Sequence, residues 1–296
     1  MVDCVAKRSC GQLHLLEILN TCIKFFSIFV RVFQINYYYP NLEYYMKRSI
    51  LALVAIFMTL GVMAQDVEFT ADRPGASTGP ATVARNVIQL EQGVQFDGDG
   101  GGYGQFTFSN TLLRYGLFDG MELRLGGDAL VHHNYDKWSA AFAGLSVGTK
   151  IKCFEGEGAI PAISVLADFA IPGTASNGFE TEHFAPSLYL LFENPVNDWL
   201  SIGYNVGAEW NGYSPAPTTF VALCFGFSLS ERLGCFAESY NYFGKFGNAY
   251  CADFGLNYMV GKRVQLDVAA NLDLCHPAQC WAVSFGVAWQ INNPRR

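Results

Sequence analysis

The chain is short of charge. Only 15% of its 296 residues are Asp, Glu, Lys or Arg, against roughly 25% in ordinary soluble domains. Basic residues are the scarcer kind, with 19 Lys/Arg facing 26 Asp/Glu. That balance excludes nucleic acid as a partner, because phosphates demand a basic surface. No CxxC pair occurs, so a structural zinc site has no ligands at the required spacing, and neither a metal nor a cofactor is expected. After residue 65 no segment carries a helical period. No apolar run reaches the roughly 20 residues that a membrane-crossing helix needs. The stretch "CIKFFSIFVRVFQINYYY" is interrupted by Lys24 and Arg31, and Ile50–Val62 is too short.

What is there begins with export. Residues 46–64, "MKRSILALVAIFMTLGVMA", have the three parts of a secretory signal: Lys47 and Arg48 as a positive head, the apolar run, and Val62 and Ala64 as small residues before the cut. The expected start is therefore Met46, with residues 1–45 an upstream, non-native or disordered extension. Residues 1–64 hold six of the Lys/Arg and three of the Asp/Glu, which leaves 13 against 23 in the exported part. Six Cys also remain there, in an oxidising compartment. Cys275 and Cys280 in "CHPAQC" are the candidates for a local disulfide across a loop, although connectivity is not readable from sequence.

The exported part is rich in Gly and aromatics and is cut at regular intervals by Gly, Pro, Asn and Asp clusters. Between the cuts run segments of about ten to thirteen residues with period-two alternation, the mark of strands with two unlike faces. In "CWAVSFGVAWQ", Trp281, Val283, Phe285, Val287 and Trp289 oppose Ala282, Ser284, Gly286, Ala288 and Gln290. Twelve such segments are expected, near 87–97, 105–116, 120–132, 139–152, 160–171, 183–194, 199–211, 217–229, 232–243, 248–259, 262–273 and 280–291. The second and ninth alternate poorly.

Alternation suits both a β-sandwich with apolar residues inside and an outer-membrane barrel with them outside. Strand length, an even count, and one rim of long connections facing one of tight turns favour the barrel. The long connections include "DGDGGGYG" and "HNYDKW"; the tight ones include "GLFDGM" and "LSERL". Trp199, Trp210, Trp281, Trp289, Tyr204 and Tyr258 fall mostly near strand ends, where aromatic girdles sit. The predicted fold is an all-β, antiparallel up-and-down barrel over 87–291. A segment at 65–86 precedes it and a tail at 292–296 follows.

Two stretches carry more than pattern. "FTADRPGASTGPATVARNVIQLEQGVQF" (69–96) and "TLLRYGLFDGMELRLG" (111–126) resemble the opening of the phenol-degradation MetA-pathway family of bacterial outer-membrane proteins, with its "DRP" segment, "QLEQG" first strand and "LRYGL" hairpin. The resemblance implies a channel or transporter for small, hydrophobic or aromatic solutes, with outer-membrane lipid as its surroundings.

The lumen-facing residues read from the register include Gln89, Glu91, Glu122, Arg124, Asp128, Asp168, Glu209, Asp253, Asp267 and Asp273, with Arg124 expected to pair between Glu122 and Asp128. Acidic residues outnumber basic ones, which favours cations or neutral solutes. Asp72, Arg73 and Pro74 belong to "TADRPGASTGP", which either folds inward as a plug or trails as a periplasmic tail. A closed structural or adhesive barrel is the runner-up function. A barrel hydrolase ranks third: "GLSVG" (144–148) matches the nucleophile-elbow pattern, but Ser146 lies mid-strand and not on a strand-to-helix turn. His132, His133, His183 and His276 are expected at the outer rim, where scattered imidazoles do not make a metal site. "DGDGGG" lacks the later ligands of a calcium loop.

Overall fold

The computed structural model describes residues 69–98, 103–134, 137–176, 178–245, 247–275 and 280–291. The expected extension at 1–45, the expected signal segment at 46–64 and the expected tail at 292–296 lie outside the described residues. Twelve strands follow one another: β1 (Ile88–Gly98), β2 (Tyr103–Phe118), β3 (Met121–Asn134), β4 (Lys137–Phe154), β5 (Ala162–Ala170), β6 (Ala185–Asn197), β7 (Leu200–Glu209), β8 (Thr218–Ser228), β9 (Leu233–Gly244), β10 (Gly247–Met259), β11 (Val264–Asp273) and β12 (Trp281–Gln290). Each pairs antiparallel with its neighbours in sequence. β1 also pairs with β12, from Gln89 opposite Gln290 to Gly98 opposite Trp281, so the sheet closes. Closure leaves no edge carrying unpaired amides, which hydrocarbon would not satisfy.

Every expected strand is present, with ends within three residues of those read from alternation. The chief departure is at the outer rim. There β1–β4, β9 and β10 extend their ladders until only 99–102, 135–136 and 245–246 separate them. The expected long loops "DGDGGGYG" and "HNYDKW" are thus strand over half or more of their length. Their backbone groups bond across the hairpin instead of waiting for water, and Phe96 stacks on Phe106 with ring centroids 4.5 Å apart. The long connections on this rim are 171–184, 210–217 and 274–280. On the opposite rim the turns are tight, apart from 155–161 between β4 and β5. Gly120, at φ 78°, closes the two-residue "DG" turn between β2 and β3.

The faces are inverted relative to a soluble sheet, which decides against the sandwich. On β12, Trp281, Phe285 and Trp289 are exposed, while Ala282, Ser284, Ala288 and Gln290 are buried. The buried polar group includes Gln89, Glu91, Arg114, Glu122, Arg124, Lys150, Asn205 and Glu238, all from the inward-facing register. A charge placed mid-strand on the outer face would sit in lipid. Phe285→Arg is therefore expected to cost about 2–4 kcal/mol, read as a lower urea midpoint for refolding into vesicles. Trp210 corrects the girdle expectation. It is buried and its Nε1 donates to the Pro215 carbonyl at 3.1 Å, so it staples the 210–217 connection and does not face lipid.

Candidate functional site

A strap of residues 69–87 precedes β1 and runs inside the barrel. It leaves the wall through a short parallel pairing with β2: Asn86 N–H donates to the Gly116 carbonyl at 2.7 Å, and Gly116 N–H to the Val87 carbonyl at 3.0 Å. A Cβ at position 116 would overlap the Ala84 carbonyl, so this close approach requires glycine.

From there the strap is held mostly by side chains that read its backbone. Gln89 on β1 donates to the Thr70 carbonyl at 2.6 Å, and Glu91 accepts Asp72 N–H at 3.2 Å. Gln265 on β11 donates to the Arg73 carbonyl at 3.3 Å. Glu238 on β9 accepts the N–H groups of Ala76 at 2.5 Å and Ser77 at 3.0 Å, together with the Ser77 hydroxyl. Asn205 on β7 both accepts from Thr78 N–H at 2.8 Å and donates to its carbonyl at 3.0 Å. Ser164 on β5 donates to the Pro80 carbonyl at 2.5 Å, and Glu122 on β3 accepts Val83 N–H at 2.7 Å. Partners on β1, β3, β5, β7, β9 and β11 encircle the strap, and only the interior of a closed barrel brings those strands around one segment.

The charged heart of the site is the carboxylate of Asp72. It meets Lys150 Nζ at 2.6 Å, Arg124 Nη1 at 2.5 Å and Arg114 Nη1 at 3.4 Å. Arg114 also binds Glu91 at 2.7 Å and Glu122 at 2.8 Å; Arg124 binds Glu122 at 3.0 Å and Asp168 at 3.3 Å. Burial by itself pushes the Asp72 carboxyl up, yet the charges of Arg114, Lys150 and Arg124 outweigh it and hold this strap residue well below the usual carboxylate range. Lys150 makes its other hydrogen bonds to the Gly79 and Ala81 carbonyls, both at 3.1 Å, so all three of its bonds end on the strap. Arg73, next along, reaches the other way, to Asn110 at 2.8 Å and Asp267 at 3.3 Å.

The strap walls two cavities that share no lining residue. One, about 530 Å³, lies toward the long loops and is lined by Asp72, Arg73, Gln95, Asn110, Arg124, Asp128 and Asp168 among others. The other, about 670 Å³, lies toward the tight turns and is lined by Thr70, Pro80, Ala81, Lys152, Glu155 and Glu193 among others. On the far wall Tyr189, Phe220, Tyr240 and Tyr242 form an inward aromatic cluster. Phe220 lies 5.6 Å from Tyr189 and 5.2 Å from Tyr242 between ring centroids.

Of the residues expected in the lumen, Glu91, Glu122, Arg124 and Asp168 come together around Asp72, and Asp267 meets Arg73. Asp128 departs from the expected pairing with Arg124: a bulge between Gly127 and Ala129 turns it to accept from Asn110 at 2.9 Å. Glu209 stands apart, accepting the Tyr189 hydroxyl at 2.7 Å. Asp253 lies directly opposite Glu238 in the β9–β10 ladder. Arg114, Lys150, Glu238 and Asn110 were not read from the sequence; β2 and β9 alternate too poorly to show the first, third and fourth.

Cys275 and Cys280 are both free thiols, so the expected bridge is not formed here; the residues between them, 276–279, lie outside the described residues. Ser146 faces the outer cavity, whose lining holds no His. His132 and His133 sit at the outer end of β3 against Phe179 and Trp138, and His276 lies outside the described residues. Among the described residues no His, Cys, Asp and Glu cluster is arranged for a metal ion.

The model of the family described as "Putative MetA-pathway of phenol degradation" matches residues 71–291. The chain belongs to this family. No curated protein matches it in sequence. Among solved structures, the COG4313 outer membrane channel from Pseudomonas putida F1 is similar with a TM-score of 0.53 at 12% identity, covering 77% of this chain and 99% of that one. The KdgM porin in complex with disordered oligogalacturonate is similar with a TM-score of 0.50 at 12% identity, covering 69% and 99%. At such identities the likeness shows the fold: this MetA-pathway family member is an outer-membrane β-barrel of the kind that porins and channels use.

Proposed function

We propose that this family member is an outer-membrane channel for small solutes, hydrophobic or aromatic ones included, whose acidic lumen is closed by the strap acting as a plug. The observation that carries the reading is the pair of separate cavities with the strap between them. A barrel that served only as a scaffold would fill its interior with wall side chains, as eight-stranded barrels do. Here a single segment, tied by polar contacts to the wall, occupies the space. Polar anchorage supports release, because each broken bond can be exchanged for one to water.

The aromatic cluster on β6, β8 and β9 supports passage of aromatic solutes, which stack on such rings. Carboxylates outnumber cations along the inward register, which favours neutral or cationic solutes over anions.

Single-channel recording in a planar bilayer tests this. The exported chain is expected to show long closed periods and brief cation-preferring steps. The same chain lacking 69–86 is expected to conduct steadily. Silence from both would refute transport and leave the closed structural barrel.

A further inference from the structure

Arg73 occupies a seat whose form exceeds what a strap anchor needs. Five inward positions lie in one row across adjacent strands: Asp128 on β3, Asn110 on β2, Gly93 on β1, Gly286 on β12 and Asp267 on β11. The two central glycines make a flat floor. The Arg73 guanidinium lies across both, and a Cβ on either would overlap it. Asn110 accepts Nη1 on one side at 2.8 Å; its amide nitrogen is held by Asp128 at 2.9 Å, which turns the Asn110 oxygen toward the seat. Asp267 accepts Nη2 on the other side at 3.3 Å, with its side chain fully buried.

The resident group leaves valences unused. Asp267 Oδ2 and Arg73 Nε are both buried without a hydrogen-bond partner. A guanidinium tied to the strap backbone thus meets this carboxylate through a single long contact, although guanidinium and carboxylate match as a two-bond fork. An untethered guanidinium could turn to bind both Asp267 oxygens. Arg73, Asn110 and Asp128 also line the 530 Å³ outer cavity, so the seat borders space that a solute can enter.

We propose that the row Asn110–Gly93–Gly286–Asp267 is a binding slot for planar guanidinium-type cations and that Arg73 is its built-in competitor. The floor presents no side-chain oxygen. A calcium ion, needing six to eight oxygen ligands, is poorly served there, and a tetrahedral ammonium cannot lie flat on it. A guanidinium-bearing solute that takes the slot displaces Arg73 and with it the neighbouring Asp72, linking binding to strap release. That last link rests on the strap being the gate; the slot itself does not.

The test is calorimetric titration of the full exported chain with methylguanidinium chloride, with tetramethylammonium chloride as the control cation. Arg73→Ala empties the slot and is expected to bind methylguanidinium saturably. The parent chain should bind at least about tenfold more weakly, because its tethered side chain competes at an effective concentration on the order of millimolar. Adding Gly286→Ala to Arg73→Ala should abolish the binding by occupying the floor. Equal responses to the two cations, or binding that survives Gly286→Ala, would overturn the slot. Should Arg73→Ala fail to assemble, Arg73→Lys, whose point charge cannot span both acceptors, carries the same comparison. Binding that holds while bilayers stay silent with and without the strap sinks the transport reading and leaves the slot standing.

Discussion

An Asp72→Ala chain is expected to pass steady current where the parent is mostly closed. The Asp72 carboxylate is the strap's contact with Lys150, Arg124 and Arg114 at once, at 2.6, 2.5 and 3.4 Å. Removing one partner from a buried ionic cluster costs about 3–5 kcal/mol, because the opposite charges stay buried without it. The wall can recover by hydrating the cations, which requires the strap to leave. Each 1.4 kcal/mol is about tenfold in an equilibrium, so the open fraction should rise by roughly two to three orders of magnitude. Asp72→Asn, which keeps the shape, should open less. In a Lys150→Met background the effect of Asp72→Ala should shrink, since the two remove one shared interaction. An Asp72→Ala channel as quiet as the parent would separate this cluster from closure.

The same carboxylate sets an acid limit. Its folded-state pKa lies below the usual carboxylate value of about 3.9. A depressed carboxylate contributes stability that is fully present above its unfolded pKa and is lost as pH falls through the lower folded one. The Asp72 contacts should therefore persist as a bilayer bath is acidified from neutral to about pH 4. They should weaken only in stronger acid. An open fraction that climbs at pH 5–6 in the parent, with no such climb in the Asp72→Ala chain, would contradict this ordering.

The largest loss of barrel stability is expected from Glu122→Gln. Glu122 is completely buried and accepts from Arg114 Nε at 2.9 Å, Arg114 Nη2 at 2.8 Å, Arg124 Nη1 at 3.0 Å and Val83 N–H at 2.7 Å. Gln preserves the volume but takes one negative charge from among three buried cations and puts donors where acceptors are needed. About 3–5 kcal/mol should go, which at a urea slope of about 2–3 kcal/mol per molar lowers the midpoint by roughly 1–2 M. Glu209→Gln gives the contrast. That carboxylate meets only the Tyr189 hydroxyl among the described hydrogen bonds, and a single such bond contributes about 1 kcal/mol. Equal midpoints for the two variants would show that the cluster around Glu122 does not hold the wall together.

How much was readable can be traced residue by residue. The alternation of "CWAVSFGVAWQ" by itself places Phe285 outward and Ser284 inward, and the even count of such segments implies a closed sheet with both ends on one rim. Inward residues such as Glu91, Glu122, Asp168 and Asp267 followed from the same parity. Parity could not name partners where the ladder is bulged. Asp128 stayed inward but turned from Arg124 to Asn110, across the irregularity between Gly127 and Ala129. Parity itself failed where alternation is weak, so Arg114 on β2 and Glu238 on β9 were missed although both hold the strap.

Strand identity, facing and barrel closure were thus determined by the sequence alone, because a strand's period of two is a local property repeated along each ten-residue stretch. The strap's position inside the lumen, the cage around Asp72 and the slot around Arg73 were decided only by the tertiary structure. Their partners lie up to 194 residues away in the chain, and which inward side chains meet across a lumen depends on strand register, bulges and the closed curvature of the wall. No local pattern records those three together.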